Sequence, residues 1–106
     1  MKEIQMIVEA HIDDHRFSVV QLCQEAGISH PQLHRKLKAR TGLSAIQFIR
    51  AIRMKKATQL LQRADLQITD VAYSIGFSDP DYFSKVFRKE FGCTPTEYRE
   101  KLSMKI

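Results

Sequence analysis

The feature that most constrains the fold is a short pattern that occurs twice in this chain of 106 residues. In each copy, a helical run of apolar residues ends at a glycine, an apolar residue follows, and a polar residue opens a second helical run. Gly27 and Gly76 are the paired glycines. Glycine suits this turn because its backbone reaches a positive φ at low cost. Each copy is therefore predicted to form a helix-turn-helix unit.

The two copies agree in residue class over more than twenty positions, although few residues are identical. Up to the turn the matching positions lie 49 residues apart, and after one extra residue in the second turn they lie 50 apart. The further pairs are Leu22 with Val71, Ser29 with Ser78, Leu33 with Phe83, Leu37 with Phe87, Gly42 with Gly92 and Phe48 with Tyr98. One such match is common among helical hairpins, whereas two matches at constant spacing favour a repeated structural unit.

Helical periodicity extends along the whole chain, and no segment alternates as a strand would. Apolar spacing and helix start signals predict seven helices and an all-α fold. The expected N-terminal caps are Ser18, Ser29, Ser44, Thr69, either Ser78 or Asp79, and Thr94. The predicted inner faces include Ile4, Ile7, Val8 and Ile12 in the first helix, Ile46 in the longest helix, and Phe83, Val86, Phe87 and Phe91 in the sixth.

The length restricts the chain to one domain, or to two very small ones that share a helix. No apolar run approaches the roughly 18 residues of a membrane span. The N-terminus lacks the apolar stretch of a signal peptide, so a cytoplasmic location without membrane contact is expected. Cys23 and Cys93 match no metal-binding or redox spacing, and Cys23 is interpreted as a small core residue rather than half of a disulfide.

The net charge of +5 is distributed unevenly along the chain. No Asp or Glu occurs between Glu25 and Asp65, and this interval contains nine cations: Arg35, Lys36, Lys38, Arg40, Arg50, Arg53, Lys55, Lys56 and Arg63. A field of one sign without counter-charges attracts polyanions. The alternative is a solvated basic surface that has no partner.

The second helix of each unit turns polar and cationic groups away from its predicted apolar face, which Leu33 marks in one unit and Phe83 in the other. An α-helix fits the major groove of DNA, where side chains near its N-terminus reach base edges. Arg35 is the best candidate for a base contact, because a guanidinium pairs bidentately with guanine. The other candidates from this face are His34, Asp81, Ser84 and Lys85.

Other groups are better placed for the DNA backbone. The cations further along the same two helices, which are candidates for phosphate contacts, are Lys38, Arg40, Arg88 and Lys89. A helix N-terminus can also present backbone N–H groups to a phosphate. The N-termini expected to do so are those at Ser29, Ser44, Ser78 and Thr94.

Each candidate has an alternative role that the sequence leaves open. Asp81 could serve only to complement the dipole of its helix, Tyr82 could pack against its own helix, and Lys36, Lys56 and Lys89 could be solvated charges. The pairs His11/His15 and His30/His34 have the spacing of metal ligands but no third ligand, which favours surface histidines and no metal. No nucleophile–base pattern, phosphate-cradling loop or pair of carboxylates is evident, so neither catalysis nor a cofactor is expected.

The segments LCQEAGISHPQLHRKLKARTGLSAIQFIRAIRMKKATQLL and ITDVAYSIGFSDPDYFSKVFRKEFGCTPTEYR resemble the DNA-binding domain of the AraC/XylS family of bacterial transcription regulators. The second segment is similar to the family's signature: an I-x-x-V-A start, G-F-S at the turn, Y-F-S-K-V-F-R-K on the helix, and then F-G-C-T-P-T-E-Y-R. The resemblance covers about residues 5 to 102, which is nearly the whole chain.

This resemblance implies a tandem, homeodomain-like fold, with a first subdomain over residues 1–43, a linker helix within 44–63 (about Ala45 to Gln62) and a second subdomain over 64–106. It implies that helices 30–40 and 80–91 enter successive major grooves on one face of double-stranded DNA. It also implies base contacts at Pro31, His34, Arg35, Asp81, Tyr82, Ser84 and Lys85. Pro31 departs from the larger or polar residues often found there and offers at most an apolar contact.

Members of that family usually carry a separate sensory or dimerisation domain, for which a chain of this length has no room. The resemblance therefore implies the output domain of a larger regulator, similar to that of hybrid two-component sensor-regulators, which recruits or blocks RNA polymerase. A stand-alone regulator is the competing possibility. Two further classes stay open: a basic helical module that docks an acidic protein, and an accessory domain of a DNA-repair enzyme.

Overall fold

A computed structural model describes residues 2–104 and folds them into seven α-helices without a strand. The helices are α1 (Lys2–Ala10), α2 (Val19–Ala26), α3 (His30–Thr41), α4 (Ala45–Leu60), α5 (Ile68–Ser74), α6 (Pro80–Phe91) and α7 (Pro95–Met104). Helices α2 and α3 form the first helix-turn-helix unit, and α5 and α6 form the second. The predicted all-α fold is thereby confirmed. Over this part of the chain, no helix has both the length and the apolar character that crossing a membrane requires.

Reciprocal hydrogen bonds between a cap and the third residue of the helix set the starts of α3 and α4, as the sequence predicts. At α3, Ser29 Oγ accepts from the Gln32 backbone N–H at 3.3 Å, and Gln32 Oε1 accepts from the Ser29 N–H at 2.9 Å. Ser44 and Gln47 repeat this arrangement at 3.2 and 3.0 Å. Ser18 caps α2 through its side chain alone. These bonds satisfy backbone donors that a helix start otherwise leaves unpaired.

The predicted start of α5 is wrong by two residues. Thr69 lies inside the helix, and Gln67 is the cap. The reason is that the Asp70 carboxylate reaches back and accepts from the Gln67 backbone N–H at 3.1 Å. A carboxylate at the third helical position therefore sets this start, and the Thr69 hydroxyl does not.

Of the two candidates for the start of α6, Asp79 is the cap, since its carboxylate accepts from the Asp81 N–H at 3.0 Å. The extra residue of the second turn therefore precedes the cap. Ser29 corresponds to Asp79, and the predicted pairing of Ser29 with Ser78 is wrong.

Two separate clusters of buried side chains hold the helices together. The first core contains Ile4, Val8, Phe17, Leu22, Leu33, Leu37, Ala45, Phe48 and Ile49. The second core contains Met54, Ala57, Leu61, Val71, Ala72, Ile75, Phe77, Phe83, Val86 and Phe87. The N-terminal half of α4 packs into the first core and its C-terminal half packs into the second, so α4 is the physical link between the two units.

Some positions predicted to be in the core are only partly buried or are exposed. Ile12 falls in the turn that follows α1, and its side chain packs against the second core. Ile46 is 65% exposed, and Phe91 is 41% exposed with its ring centroid 4.5 Å from that of Phe87. Cys23 is half-buried and packs against the first core. These residues obey the helical period, but the neighbouring elements do not cover all of each helix face.

The glycines of the two turns have the predicted positive φ, +69° at Gly27 and +87° at Gly76, yet their surroundings differ. A Cβ atom on Gly27 would meet no other atom within 4 Å. A Cβ atom on Gly76 would lie 2.5 Å from the carbonyl oxygen of Ile12. The first turn is therefore open, and the second is in close contact with the loop that joins α1 to α2.

Candidate nucleic-acid interface

The recognition helix of the first unit, α3, exposes all of its predicted DNA contacts. Leu33 and Leu37 are fully buried and fix the orientation of the helix. The exposed residues on its remaining surface include Pro31, His34, Arg35, Lys36, Lys38 and Arg40. The base-contact candidates thus occupy the N-terminal half, and the phosphate-contact candidates occupy the C-terminal half. Near that end, Lys38 Nζ donates to the carbonyl oxygen of Gly42 at 3.3 Å.

The recognition helix of the second unit, α6, is oriented by Phe83, Val86 and Phe87, all of which are buried. Its exposed residues include five of the predicted contacts, which are Asp81, Tyr82, Lys85, Arg88 and Lys89. Ser84 is half-buried at the flank of the helix. The outward face of α6 therefore carries an acceptor and a hydroxyl besides its cations.

The cations of both recognition helices form no close ion pair with a carboxylate in the described residues. In the described range, residues 2–104, the ion pairs within 4.0 Å are His11–Glu25 and Arg63–Asp65. Neither pair includes a residue of α3 or α6. An exposed cation without a protein partner can exchange its counterion for a phosphate group, which is how basic proteins gain affinity for DNA.

Tyr82 is held by residues outside its own helix. Its hydroxyl oxygen accepts from Nη2 of Arg50, on α4, at 3.3 Å. Its ring is tilted against that of Phe77 in the preceding turn, with the centroids 6.0 Å apart. The ring is still 49% exposed. The sequence left open whether Tyr82 packs on its own helix; instead it contacts the turn and the linker helix while keeping an accessible face.

The N-termini of α3 and α4 are electrostatically open to an anion. Their caps, Ser29 and Ser44, are neutral, and the first turn of each helix contains no acidic residue. The positive end of a helix dipole then faces solvent without a fixed negative charge. Both sites therefore suit a phosphate group on electrostatic grounds.

The N-termini of α6 and α7 already contain carboxylates. Asp79 and Asp81 stand at the start of α6, and Glu97 accepts from the Thr94 backbone N–H at 2.9 Å at the start of α7. This hydrogen bond holds the pKa of Glu97 below its usual range. A fixed negative charge repels a phosphate, so Ser78 and Thr94 are less favourable candidates than Ser29 and Ser44.

Arg53 belongs to the basic interval of the sequence but not to the basic surface. Its side chain is half-buried, and its Nη2 donates to the backbone carbonyl of Asp14 at 2.9 Å. Burial lowers the pKa of Arg53, and the charge of Asp14 opposes that effect. Arg53 thus acts within the fold, and the exposed field of the interval is correspondingly smaller.

Arg50 and Arg53 were expected only as members of the basic interval, with Arg53 also a possible inner-face position of the longest helix, yet both connect α4 to other parts of the molecule. A signal for Arg53 is present in the sequence. It stands four residues after Ile49 and four before Ala57, both of which are buried, so it interrupts an apolar stripe. A cation on an otherwise buried helix face needs a polar partner. Its partner here is a backbone carbonyl, which no sequence pattern identifies.

His11, one member of the two histidine pairs, contacts ordinary protein groups. His11 Nε2 lies 2.9 Å from Oε1 of Glu25, and its ring stacks on Phe17 with centroids 4.7 Å apart. Across residues 2–104, the side chains of His, Cys, Asp and Glu form no group of three or more with the geometry of a metal site.

Two helix-turn-helix units, each presenting an exposed helix with unpaired cations, define the class of this chain as a tandem helix-turn-helix domain of the DNA-binding type. A family model described as a helix-turn-helix domain matches residues 22–101. The chain belongs to this AraC/XylS-type family, which is a family of DNA-binding transcription regulators.

Two curated relatives are longer proteins that contain a segment similar to this chain. It is 39% identical over 103 residues to a histidine kinase of Formosa agariphila and 36% identical over 94 residues to the HTH-type transcriptional activator RhaS of Escherichia coli. These matches cover 97% and 86% of this chain but only 8% and 34% of the relatives.

Solved structures share the fold over nearly the whole chain. The C-terminal domain of the two-component response regulator yesN from Fusobacterium nucleatum has a TM-score of 0.83 and 31% identity, covering 92% of this chain and 95% of that domain. The DNA-binding domain of AdpA, solved in complex with a target DNA, has a TM-score of 0.87 and 26% identity, covering 98% and 93%.

Proposed function

We propose that this chain reads double-stranded DNA by placing α3 and α6 in successive major grooves, and that it is the output domain of a larger bacterial transcription regulator. The observation that carries the proposal is that both recognition helices expose polar and cationic side chains, that none of their cations forms an ion pair within 4.0 Å in residues 2–104, and that they share one linker helix. The structure of the AdpA domain with its target DNA supports the same use of this fold.

The dimensions of the molecule agree with a two-groove reader. Its longest axis is 44 Å, and successive major grooves on one face of B-DNA are about 34–36 Å apart. The molecule is therefore long enough to reach both grooves. If the two recognition helices are closer together than the groove repeat, the DNA has to bend or only one helix inserts fully.

The proposed contacts fall into two groups. Pro31, His34, Arg35, Asp81, Tyr82, Ser84 and Lys85 face base edges. Lys38, Arg40, Arg88 and Lys89, together with the helix starts at Ser29, Ser44, Ser78 and Thr94, face phosphates. Base contacts supply discrimination, at about 1–3 kcal/mol for each good bidentate pair, whereas phosphate contacts supply affinity that depends on salt.

The remaining partners are inferred from the relatives. The matching segments make up only 8% and 34% of the two curated relatives, which supports a sensory or dimerisation domain elsewhere in the parent protein. A histidine kinase among these relatives and a response regulator among the solved structures support a two-component system. In such a regulator, the domain would act in the cytoplasm and recruit or block RNA polymerase at a promoter.

Selection of bound sequences from a random DNA pool, at two salt concentrations, tests this function. We expect two short motifs about 10 base pairs apart in a fixed orientation. The matched control is the double variant Arg35→Ala with Lys85→Ala, which removes one base-contact candidate from each unit and keeps all the phosphate-contact candidates. This control should bind DNA with a relaxed base preference in each motif, at the positions that Arg35 and Lys85 contact.

The alternatives give different results in the same selection. Enrichment of a single motif would mean that one helix reads bases while the other only contacts phosphates. No enrichment, together with binding that is lost at the higher salt concentration, would reject sequence-specific recognition and leave a general polyanion-binding surface.

A further inference from the structure

Away from α4, the two units meet at the loop that joins α1 to α2. Helices α1, α3 and α5 pack against α4, and over residues 2–104 no helix of one unit packs as closely against a helix of the other unit. A cleft of about 700 Å³ separates them, with Phe17, Ile49 and Arg53 on one side and Phe77 and Tyr82 on the other. The loop contacts both units, because Phe17 belongs to the first core and the side chain of Ile12 packs against the second core.

Arg53 connects this loop to the linker helix. Its Nη2 donates to the Asp14 carbonyl at 2.9 Å, although the two residues are 39 positions apart in the sequence. Its Nε is buried without a hydrogen-bond partner in the described residues. Burial of a guanidinium that is only partly satisfied opposes folding. Stability alone would therefore favour an apolar residue here, between Ile49 and Ala57.

The turn of the second unit abuts the same place. A Cβ atom on Gly76 would lie 2.5 Å from the Ile12 carbonyl oxygen and 3.0 Å from Nη2 of Arg53. Three backbone segments thus converge on one guanidinium: the loop, the linker helix and the second turn. Helix α6 begins four residues after Gly76, so the position of this turn determines where the second recognition helix starts.

We propose that Arg53 is a positioning residue: by binding the Asp14 carbonyl and packing against Gly76, it fixes the orientation of α6 relative to α3 and so selects the spacing between the two DNA motifs. This inference rests on the proposed function, because spacing matters only if both helices read DNA. We name this set of residues, Ile12, Asp14, Arg53 and Gly76, the clamp.

The spacing of the two recognition helices along DNA is sensitive to the angle at which the units pack on the shared helix. Helix packing tolerates a scatter of roughly 15–20° in crossing angle. Rotation by that angle moves one end of a molecule 44 Å long by several ångströms. One base pair advances only about 3.4 Å along the DNA axis. A difference in crossing angle within this range therefore changes the spacing by a base pair or more, so a contact that fixes the angle also fixes the spacing.

The test measures affinity for DNA duplexes in which the two selected motifs are separated by the preferred spacing or by one base pair more or less. Arg53→Met is the main variant, since Met is similar in length and packs in an apolar stripe but cannot bind the carbonyl. Lys55→Met is the matched control, because Lys55 lies on the same helix and is exposed. Arg53→Lys retains one possible hydrogen bond to Asp14 and tests for rescue.

We expect the wild-type chain and Lys55→Met to lose about tenfold in affinity when the spacing changes by one base pair. Arg53→Met should lose less than about twofold on the same change while unfolding no more easily than the wild type, and Arg53→Lys should restore most of the preference. If Arg53→Met kept the tenfold preference, the clamp would not set the spacing.

Residual dipolar couplings measured without DNA give an independent readout. In the wild-type chain, amides of α2–α3 and of α5–α6 should fit one alignment tensor. In Arg53→Met and in Gly76→Ala they should need two, because the units then reorient. One tensor in both variants would overturn the inference. If the wild-type affinity did not depend on spacing at all, the two-helix function would fail instead, and the couplings would still decide whether the clamp orders the units.

Discussion

The two helix-turn-helix units follow one plan but differ in how their turns are held. The turn at Gly27 has no other atom near the position of a Cβ, whereas the turn at Gly76 lies against Ile12 and Arg53. The first turn is therefore free of such close contacts, whereas the second turn also touches a side chain of the linker helix and a loop of the first half. The same motif is thus exposed at its turn in the first unit, whereas in the second unit its turn also contacts other parts of the molecule.

The recognition helices also differ in charge. Helix α3 contains Arg35, Lys36, Lys38 and Arg40 and no acidic residue, whereas α6 contains the acids Asp81 and Glu90 beside three cations. The helix starts follow the same division, with neutral caps at α3 and α4 and carboxylates at α6 and α7. We therefore expect the first unit to supply most of the attraction to phosphates, and the second to combine donors with acceptors.

The cores of the two units differ in chemistry as well. Leu33 and Leu37 support α3, and Phe83 and Phe87 occupy the matching positions under α6. The aromatic rings of the second core lie in chains of tilted and edge-on contacts, with Phe83 5.4 Å from Phe77 and 5.8 Å from Phe87. Aromatic side chains bury more surface than leucines, and such ring pairs add further stabilisation.

The largest predicted effect concerns these cores. Phe83→Ala should lower the free energy of unfolding by about 4 kcal/mol, and Leu33→Ala by about 3 kcal/mol, because both side chains are fully buried and the aromatic one leaves the larger cavity. A domain of this size has only about 5–15 kcal/mol of stability in total. Urea denaturation followed by circular dichroism measures both values. A larger loss for Leu33→Ala would show that the first core is the more stabilising one.

The next largest effect concerns the separate roles of base contacts and phosphate contacts along α3. Arg35→Ala should relax the preference at one base-pair position by about 1–3 kcal/mol, because a bidentate contact to guanine is lost. Lys38→Ala should weaken binding to all sequences alike and reduce the slope of log affinity against log salt by about one. Competition binding with the selected motif and with random DNA separates the two results. Equal losses on both DNAs for both variants would contradict the assigned roles.

Much of this fold was predictable because local chemistry and global packing agree. Positive φ at the turn glycines, serine caps with glutamine three residues later, and leucine or phenylalanine at helical spacing each specify a local feature that the structure contains. The errors occur where a competing local group exists. Thr69 alone is a plausible cap, but the Asp70 carboxylate accepts from the backbone N–H of Gln67, and the helix therefore begins two residues before the position that Thr69 predicts.

The contacts between the units were not predictable from the sequence, and the reason is physical. Ile12 continues the apolar period of α1, yet it leaves the helix and packs on the second core. Arg53 stands in a basic interval, which suggests a surface charge, but its partner is the backbone of Asp14. Backbone acceptors are the same in every residue, so no pattern of side chains indicates which one a distant arginine binds.

The smallest predicted effect is a difference in how the helix caps of the two halves contribute to stability as the pH changes. In the first half the caps at α3 and α4 pair with Gln32 and Gln47, which do not titrate, whereas Thr94 at α7 pairs with Glu97. The backbone N–H of Thr94, and then its side chain, hold the pKa of Glu97 below the usual range. A carboxyl whose pKa is lowered by folding stabilises the folded state above its unfolded pKa, about 4.3 for Glu. That stabilisation is lost as the pH falls through the folded pKa.

The urea midpoint of the wild-type chain should therefore fall more steeply below about pH 4.3 than that of Glu97→Gln, which keeps a capping side chain without a titrating proton. The reciprocal variant Gln32→Glu should make the decline steeper by placing a titrating cap at α3. Other carboxylates, such as Asp65 beside Arg63, titrate in all three proteins, so the difference between the curves isolates the caps. Parallel curves would mean that Glu97 is hydrogen-bonded equally well when the chain is unfolded, and the carboxylate cap of the second half would then contribute nothing that the amide caps of the first half lack.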